Sequence, residues 1–292
     1  MVFFIYKREI KVMKTSIYIA TQTEREFPNN KDYIPLMVGK PDENLLKGLN
    51  DGIGDSISNK NPFYCELTGH YWIWKNDHQS DIVGLCHYRR FLWLSDVPRR
   101  ICRKNFKSVK DCEEFLNTQE LGKIFENETC DIILPRPLVF SGGDIKTQFT
   151  EAHGETAYLL MIDSIKRNAP EYMSSVDKVF SRRFEYFANL LIAMKPTFDE
   201  YSEWLFRILQ DVEAHTDLND KKNLRLMGFI SERLLNLYVV HNKLKIKEVP
   251  QIFINTDESE KDLYTDLRYI KRRYFPGIIT FEEKVRKKLL SK

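Results

Sequence analysis

Apolar residues in the first half of the chain form short runs that are typical of buried β-strands. The first run covers residues 16–21, and a second run, residues 81–88, is apolar almost throughout. A third run, residues 131–134, ends directly before Pro135. Near-continuous apolar runs of this length are typical of strands that are covered on both faces. The pattern therefore predicts a buried sheet.

Helical periodicity begins after a turn-rich loop at residues 50–61. Asn61 and Pro62 have the residue types preferred at the N-cap and at the first helical position. Apolar side chains then recur on one helical face, at Phe63, Leu67, Tyr71 and Trp74. This spacing predicts one helix that begins at Asn61, ends near residues 76–77 and buries that face.

Helices dominate the second half of the predicted structure. Three helices are predicted there, at residues 157–168, 197–215 and 224–241. Thr197 and Glu200 stand at the spacing of a capping box for the second of them. Residues 249–254 predict one late strand. Because strands alternate with helices, we expect a single α/β domain over residues 13–256.

Both ends of the chain differ from this domain. Met13 directly precedes the first strand, so we expect residues 1–12 to be a disordered N-terminal extension. Residues 257–292 form a basic amphipathic tail, with nine Lys or Arg against two Glu between residues 268 and 292. Such a tail can lie on an anionic membrane surface, or it can be a terminal helix that packs by one face.

Composition narrows the class of protein. Among 292 residues, 42% are apolar, 30% are charged and the net charge is +3, which excludes disordered and collagen-like chains. The five cysteines are odd in number and show no C-x-x-C spacing, so we expect neither a zinc site nor a disulfide framework, but a reduced, cytoplasmic chain. No apolar run approaches the roughly 20 residues needed to span a bilayer.

The first group of candidate ligand-binding residues lies at the end of the second apolar run. His87, Arg89 and Arg90 stand there, with Tyr88 between them. Ligands of open α/β sheets bind beyond the carboxyl ends of strands. Guanidinium groups match phosphate oxygens in a bidentate manner, so we expect a diphosphate ligand. The alternative is that Arg89 and Arg90 pair with internal carboxylates.

The start of the predicted helix at Asn61 is a second candidate. Free backbone amides at a helix N-terminus can hold an anion. Asn61, Tyr64 and Glu66 all belong to the first turn and are therefore candidate ligand contacts. The alternative is structural, because Glu66 can simply stabilise the helix dipole.

The predicted helix at residues 224–241 carries two stripes. Its apolar stripe contains Leu226, Ile230, Leu234 and Leu237, and a separate stripe contains Arg225, Gly228, Glu232 and Asn236. Gly228 would allow a ligand to approach the backbone. Glu232 could then act as a general base on an attacking hydroxyl. Alternatively, Glu232 forms a surface ion pair with Arg233 or Arg225.

Several common catalytic motifs are absent from the sequence. It contains no G-x-x-x-x-G-K-[ST], no G-x-G-x-x-G, no H-E-x-x-H and no G-x-S-x-G. The six histidines show no metal-ligand spacing, and no Asp-x-Asp follows an apolar strand.

Eight segments, in order along residues 17–238, carry a specific resemblance. They are IYIAT (17–21), YIPLMVG (33–39), GDSISNKN (54–61), YCELTGHYWIWKN (64–76), GLCHYRRFL (84–92), DIILPRP (131–137), FDEYSEWLF (198–206) and GFISERLLNLY (228–238). In these motifs the chain resembles a bacterial family, domain of unknown function 4422, found in capsule, O-antigen and exopolysaccharide gene clusters.

The resemblance implies a glycosyltransferase with a GT-A-like fold, in which a mixed, mostly parallel sheet is followed by a helical C-terminal half. Some relatives transfer galactofuranose from its UDP donor. We therefore expect transfer of a hexose from a UDP-sugar to a hydroxyl of a growing lipid-linked polysaccharide. A non-catalytic nucleotide- or sugar-binding protein is the alternative.

The resemblance also bears on cofactors. GT-A enzymes usually place Asp-x-Asp at the end of a central strand to hold a divalent metal on the diphosphate, whereas this chain has His87-Tyr88-Arg89 there. Cationic side chains could replace the metal electrostatically, so we expect metal-independent transfer and no metal ligands. The alternative is that Asp81, Asp131 or Asp144 recruits Mg²⁺ or Mn²⁺.

The GT-A pattern further implies a catalytic base on a late helix. Glu232 is the candidate; Asp199, and Glu151 with His153, are the alternatives. By the same pattern, the expected nucleotide-sugar contacts are Thr21, Gly39, Asp55, Ser58, Asn61, Tyr64, Glu66, His87, Arg89 and Arg90.

The expected partners are a UDP-sugar donor and a lipid-linked glycan acceptor. The basic tail would reach the cytoplasmic face of the inner membrane. Nucleic acid is not an expected partner, because the body of the chain is close to neutral.

Overall fold

The structure is a computed structural model. It describes residues 13–254 except 24, 40–47, 96–100, 128–129 and 141, together with Ile270 and Arg273. The predicted extension at residues 1–12, and the predicted tail at residues 257–292 apart from Ile270 and Arg273, lie outside the described residues.

Eleven strands are present in the described part of the chain. They are β1 (Thr15–Thr21), β2 (Tyr33–Met37), β3 (Ile82–His87), β4 (Arg90–Leu92), β5 (Arg103–Phe106), β6 (Ile132–Pro135), β7 (Leu138–Val139), β8 (Phe184–Glu185), β9 (Leu191–Met194), β10 (Ile246–Val249) and β11 (Gln251–Ile254). The apolar runs at residues 16–21, 81–88 and 131–134 thus become β1, β3 and β6.

Nine of these strands form one mixed sheet. β2, β1, β3, β9, β6 and β10 lie side by side in that order, and β4, β11 and β5 continue from the end of β3. β1 pairs in parallel with both β2 and β3, and the parallel ladders contain more paired residues than the antiparallel ones formed by β4 and β9. The short strands β7 and β8 pair separately.

The sheet has an apolar core on each face because successive side chains of a strand point to opposite sides. Tyr18 and Leu85 belong to one cluster, which also contains the apolar faces of the long helices. Ile19 and Cys86 belong to the other cluster, on the side of residues 109–125. β1 and β3 are therefore covered on both faces, as their sequences predicted.

Eight α-helices are present among the described residues. They are α1 (Asn61–Tyr64), α2 (Leu67–Asn76), α3 (Leu121–Glu126), α4 (Ile145–His153), α5 (Glu155–Asn168), α6 (Met173–Phe180), α7 (Lys195–Ala214) and α8 (Leu226–His241). The described helices include none that is both long and apolar enough to cross a membrane.

The single helix predicted from Asn61 is wrong in two respects. Lys60, not Asn61, is the N-cap residue of α1, because a 3-10 turn at Ser58–Lys60 leads directly into the helix. The helix then breaks at Cys65, whose φ is +54°, and restarts as α2 after Glu66. The predicted apolar face nevertheless packs into the core.

The capping box predicted for the second long helix is not formed. β9 leads straight into α7, which begins at Lys195 with Pro196 in its first turn, so Thr197 already lies inside the helix. The fixed φ of proline suits the first helical turn. Tyr201, Leu205, Ile208 and Val212, which recur at helical spacing in the sequence, form the buried core stripe of α7.

The late strand predicted at residues 249–254 is two strands. Pro250 separates β10 from β11, since a proline cannot donate a backbone hydrogen bond to a sheet. β10 pairs with β6, while β11 pairs with β4 and β5. The strands β6, β9, β3 and β4 lie side by side between β10 and β11, and Pro250 alone connects β10 to β11.

Candidate active site

The carboxyl ends of β1 and β3 meet at one edge of the sheet, and a small cavity lies beyond them. Its volume is about 390 Å³. It is lined by Ala20, Thr21, Gln22, Val38, Asn61, Pro62, Cys65, Glu66, His87, Tyr88 and Arg225. The structure thus brings together four of the predicted contacts, Thr21, Asn61, Glu66 and His87, and adds Arg225 from the start of α8.

Asn61 is held firmly in the wall of the small cavity. Its Nδ2 donates to the backbone oxygen of Cys65 at 2.8 Å, and its Oδ1 accepts from Gln22 at 3.1 Å. Gly39 lies directly behind it with a φ of +71°, and a Cβ there would stand 2.5 Å from Asn61 Cγ. Glycine is therefore required at position 39 both by conformation and by space.

Gly39 and Ser58 support this wall without lining it. The amide of Gly39 donates to Asp51 at 3.1 Å, and the hydroxyl of Ser58 donates to the same carboxylate. Burial raises the pKa of Asp51, while these hydrogen bonds oppose the shift. Asp51 therefore ties the loop after β2 to the start of α1.

A narrow passage of about 90 Å³ opens from the small cavity. It is lined by Cys65, Glu66, His87, Arg90, Arg225, Gly228, Phe229 and Glu232. On its far side, Arg90, Phe229 and Glu232 also line a large cavity of about 1180 Å³. Neighbouring cavities share wall residues, so the three lie side by side in one cleft, and Arg225 lines all three.

The large cavity has aromatic and cationic walls. Its lining residues are Arg90, Cys102, Arg103, Pro135, Arg136, Leu138, Phe140, Gln148, Ala152, His153, Phe187, Ala188, Arg225, Phe229, Glu232, Arg233, Gln251 and Phe253. His153 stacks on Phe229 with 4.1 Å between ring centroids. Burial, with the charge of Arg233, lowers the pKa of His153 to about 4, so its ring is neutral at pH 7.

Glu66 and His87 face each other on the small-cavity side of the passage. Glu66 Oε1 accepts a 2.7 Å hydrogen bond from Asn189 and lies 3.9 Å from His87 Nε2. Burial lowers the pKa of His87, aided by Arg90 and opposed by Glu66. His87 is therefore a neutral hydrogen-bonding group at pH 7, and the positive charge at the passage comes from Arg90 and Arg225.

Glu232 stands where the passage meets the large cavity. Its Oε1 accepts from the backbone amide of Ala188 at 2.9 Å, and its Oε2 accepts from Arg233 at 2.8 Å. Burial raises the pKa of Glu232 and outweighs the opposing effect of Arg233. A carboxylate with a raised pKa beside an open cavity has the properties of a general base.

Backbone strain is concentrated at the passage. Cys65, Ala188, Asn189 and Arg225 have φ between +51° and +72°, and Lys243 is the remaining non-glycine residue with positive φ in the described chain. Such conformations cost energy and persist where the surrounding structure holds a functional arrangement. At the passage they direct the Ala188 amide to Glu232 and the Asn189 side chain to Glu66.

Four further predicted site residues do not line the cleft. Asp55 accepts a hydrogen bond from Tyr71, and the hydroxyl of Tyr64 is buried against Glu213. Asp199 forms an ion pair with Lys195 on α7. The fourth, Arg89, is exposed and lies beside the ring of Tyr88.

Arg89 and Arg90, which follow β3, therefore lie in different surroundings. Arg90 lines both the passage and the large cavity, whereas Arg89 lies in the two-residue turn between β3 and β4 and is exposed. Glu151, the alternative acid beside His153, is exposed and not among the lining residues.

The passage does not fit a divalent metal. Its two carboxylates, Glu66 and Glu232, are held by N–H donors, and Arg90 and Arg225 share the same space. Throughout the described residues, no three His, Cys, Asp or Glu side chains form a metal-binding group.

The alternative metal ligands serve local structure instead. Asp81 and Asp131 accept backbone hydrogen bonds from Lys14 and Lys245, and Asp144 caps α4. None of these three acids lines the cleft.

Asn189, Arg233 and Glu185 were missed as site residues. Arg233 lines the large cavity and contacts both Glu232 and the buried Glu185. Two signals could have indicated Arg233 and Glu185. One is the Glu-Arg pair within an apolar helix, and the other is the single acid within the aromatic segment at residues 184–187.

Comparison with known proteins agrees with this architecture. The model of the family described as "Domain of unknown function (DUF4422)" matches residues 16–243. The structure of a protein described as WbbM bifunctional glycosyltransferase, in its apo form, superposes with a TM-score of 0.71 at 31% identity over 83% of this chain. The chain spans 45% of the length of that protein. No curated protein shows significant sequence similarity.

Proposed function

The chain belongs to the DUF4422 family, and from that premise and the cleft we propose that it is a glycosyltransferase. The observation that carries the proposal is the passage, where Glu232 and two arginines meet between a small and a large cavity. A group transfer between two substrates needs two connected compartments with the reacting groups at their junction. The similarity to a solved glycosyltransferase supports the same conclusion.

The small cavity is the proposed donor site. It lies beyond the carboxyl ends of parallel strands, where nucleotides bind in α/β folds. Tyr88 and Asn61 line this cavity and are the proposed contacts of a uridine. Arg90 and Arg225, at the passage, would neutralise the diphosphate.

The large cavity is the proposed acceptor site. The stacked pair His153 and Phe229, with Phe187 and Phe253, provides flat apolar surfaces for the faces of sugar rings. Because a pKa of about 4 makes His153 a weak base, we assign it to acceptor binding rather than to proton transfer.

The proposed reaction is a displacement at the anomeric carbon of the donor sugar. The acceptor oxygen forms a bond to this carbon while its proton passes to the carboxylate of Glu232. The bond from the anomeric carbon to the diphosphate oxygen breaks, and UDP leaves with the electron pair. Arg90 and Arg225 stabilise the charge that develops on the leaving diphosphate.

Finer features of the proposal come from the family resemblance. They are a UDP-hexose donor, with galactofuranose as one candidate, a lipid-linked polysaccharide acceptor, and action at the cytoplasmic face of a membrane. Metal independence is part of the proposal, and the guanidinium groups of Arg90 and Arg225 at the passage support it because they can neutralise a diphosphate.

The decisive experiment compares the native chain with Glu232→Gln. A thermal-shift panel of UDP-, GDP- and dTDP-sugars first identifies the donor, and UDP release is then measured with and without a glycan acceptor. We expect Glu232→Gln to bind the donor normally but to lose roughly a hundred-fold or more in kcat, as for removal of a general base.

The matched control is Glu203→Gln, an exposed acid on α7. Near-normal turnover by Glu232→Gln would remove Glu232 as the base. If the native chain binds a nucleotide sugar but releases no UDP with any acceptor, the non-catalytic binding alternative is correct.

A further inference from the structure

A buried cluster behind the passage contains one arginine and two acids. Arg233 Nη1 donates to Glu232 at 2.8 Å, and Arg233 Nη2 lies 3.2 Å from Glu185 Oε1. The side chains of Arg233 and Glu185 are 5% and 0% exposed. Glu185 belongs to β8 and Glu232 to α8, so Arg233 connects two elements that are distant in sequence.

The guanidinium group of Arg233 is held by contacts from several residues. It lies 5.0 Å from the ring centre of Phe149 and 5.3 Å from that of Phe187. It also donates to the backbone oxygen of Phe229 at 3.1 Å. A planar group held by two rings and a carbonyl has little freedom, so it fixes the carboxylate that it binds.

Glu185 has no function in folding that its contacts explain. Neither of its carboxylate oxygens accepts a hydrogen bond from a described residue, and its only described ionic partner is Arg233. An acid buried in this way is costly and destabilises the fold. Such groups are retained most often where they serve the chemistry of a site.

We propose that Arg233 and Glu185 position Glu232 for catalysis, Arg233 by holding its carboxylate at the mouth of the passage and Glu185 by steadying Arg233 from behind. Both are positioning residues, since neither lines the passage itself. The inference rests on the proposed function, in which Glu232 takes the proton of the acceptor hydroxyl.

The charges of the cluster explain why two acids are needed. Burial raises the pKa of Glu185 to about 8, with Glu232 adding to the shift and Arg233 opposing it. Near pH 7 Glu185 is therefore mostly protonated, and the positive charge of Arg233 pairs with Glu232 alone. Above about pH 8, Glu185 ionises and competes with Glu232 for the same guanidinium group.

Other charged groups face this cluster from neighbouring elements. Glu66, Arg90 and Arg225 act on Glu232 across the passage, and His153 on α4 faces Arg233. His153 is neutral above about pH 4, so its charge does not change near neutral or alkaline pH. The charge of Glu232 also acts on Cys65, but burial raises the pKa of the Cys65 thiol to about 11.

The test measures kcat, and the KM of each substrate, from pH 5 to pH 9 for Arg233→Gln, Arg233→Lys and Glu185→Gln. Arg233→Gln should lower kcat about tenfold or more, leave the donor KM unchanged, and move the acidic limb of the kcat profile up by about one pH unit. The shift arises because Glu232 loses its cation. Arg233→Lys keeps the positive charge, so it should move the acidic limb part of the way back to its native position.

Glu185→Gln is a neutral isostere of the protonated acid. Its kcat at pH 7 should therefore stay close to the native value, while the fall in kcat above about pH 8 should be reduced. Arg167→Gln is the matched control, because Arg167 pairs with Asp211 on the exposed side of α5.

Two results would overturn the inference: a native pH profile for folded Arg233→Gln, or an unchanged alkaline limb for Glu185→Gln. Glu232→Gln in the same assay separates the two proposals. If it is inactive while the Arg233 variants keep the native profile, only the positioning role fails. If it is fully active, the assignment of the base fails as well.

Discussion

The small and the large cavity are built in different ways, although they share the passage. Every residue that lines the small cavity lies between positions 20 and 88, except Arg225. The lining of the large cavity is drawn from many separate segments between positions 90 and 253. The small cavity is therefore a product of two adjacent strand ends and one helix start, whereas the large cavity exists only after distant segments have packed.

This difference separates recognition of the two substrates. A donor site formed by neighbouring segments is fixed by short-range geometry, as the contacts of Asn61 and Gly39 illustrate. An acceptor site made from many segments can change its walls without disturbing the sheet. We therefore expect variants on the two sides to affect different substrates, and only the charged groups of the passage to affect both.

Arg225 offers the strongest test of this separation because it lines all three cavities. Replacing it with Gln should lower kcat/KM for both substrates by about a hundred-fold, since charge on the leaving group would lose a stabilising donor. The measurement is steady-state transfer with each substrate varied in turn. Arg207→Gln, at an exposed position on α7, is the control. A loss confined to one substrate would contradict a shared role.

Gly39→Ala should weaken the donor side alone. The new Cβ would displace Asn61 and would strain a backbone with φ of +71°. We expect the Kd for the nucleotide to rise about tenfold, as for the loss of about 1.4 kcal/mol, with an unchanged acceptor KM. Titration of UDP measures the effect. Gly122→Ala is the control, because a Cβ there would meet no neighbouring atom.

Phe229→Leu should have a smaller effect on the acceptor side. Removing the ring removes the stack with His153, and aromatic pairs contribute about 0.5–1.5 kcal/mol. The acceptor KM should rise several-fold while UDP binding stays native. Phe115→Leu, which changes an aromatic contact on the opposite face of the sheet, serves as the control. Weaker UDP binding in Phe229→Leu alone would mean that the two sides are not separable.

Removal of divalent metals should have the smallest effect. With Arg90 and Arg225 at the diphosphate position, transfer should proceed at an unchanged rate in excess EDTA. Complete loss of turnover, restored by Mg²⁺ or Mn²⁺, would show that the guanidinium groups do not replace a metal.

The sequence predicted the elements that depend on local pattern. β1, β3 and β6 follow from uninterrupted apolar runs, and the buried stripes of α7 and α8 follow from helical spacing. The errors lie at positions where tertiary contacts decide. Cys65 adopts a positive φ that its residue type does not favour, so the break between α1 and α2 has no local signal.

The candidate site divides in the same manner. Thr21, His87 and Arg90 were predictable because strand ends of a parallel sheet converge. Arg89 is exposed because it lies in the turn between β3 and β4, and the burial of Tyr64 against Glu213 depends on packing between distant helices. Asn189 and Glu185 could not be found from spacing, because their partners lie on α8 and before α2.

Pro250 has a consequence for the order in which the molecule is assembled. Strands β10 and β11, on its two sides, complete opposite ends of the strand path. As the ribosome releases the chain from its N-terminus, the segments around β1 and β3 emerge long before Gln251 and Phe253, which line the large cavity. Because a domain generally folds as a unit, neither cavity is complete until the chain on both sides of Pro250 has left the ribosome.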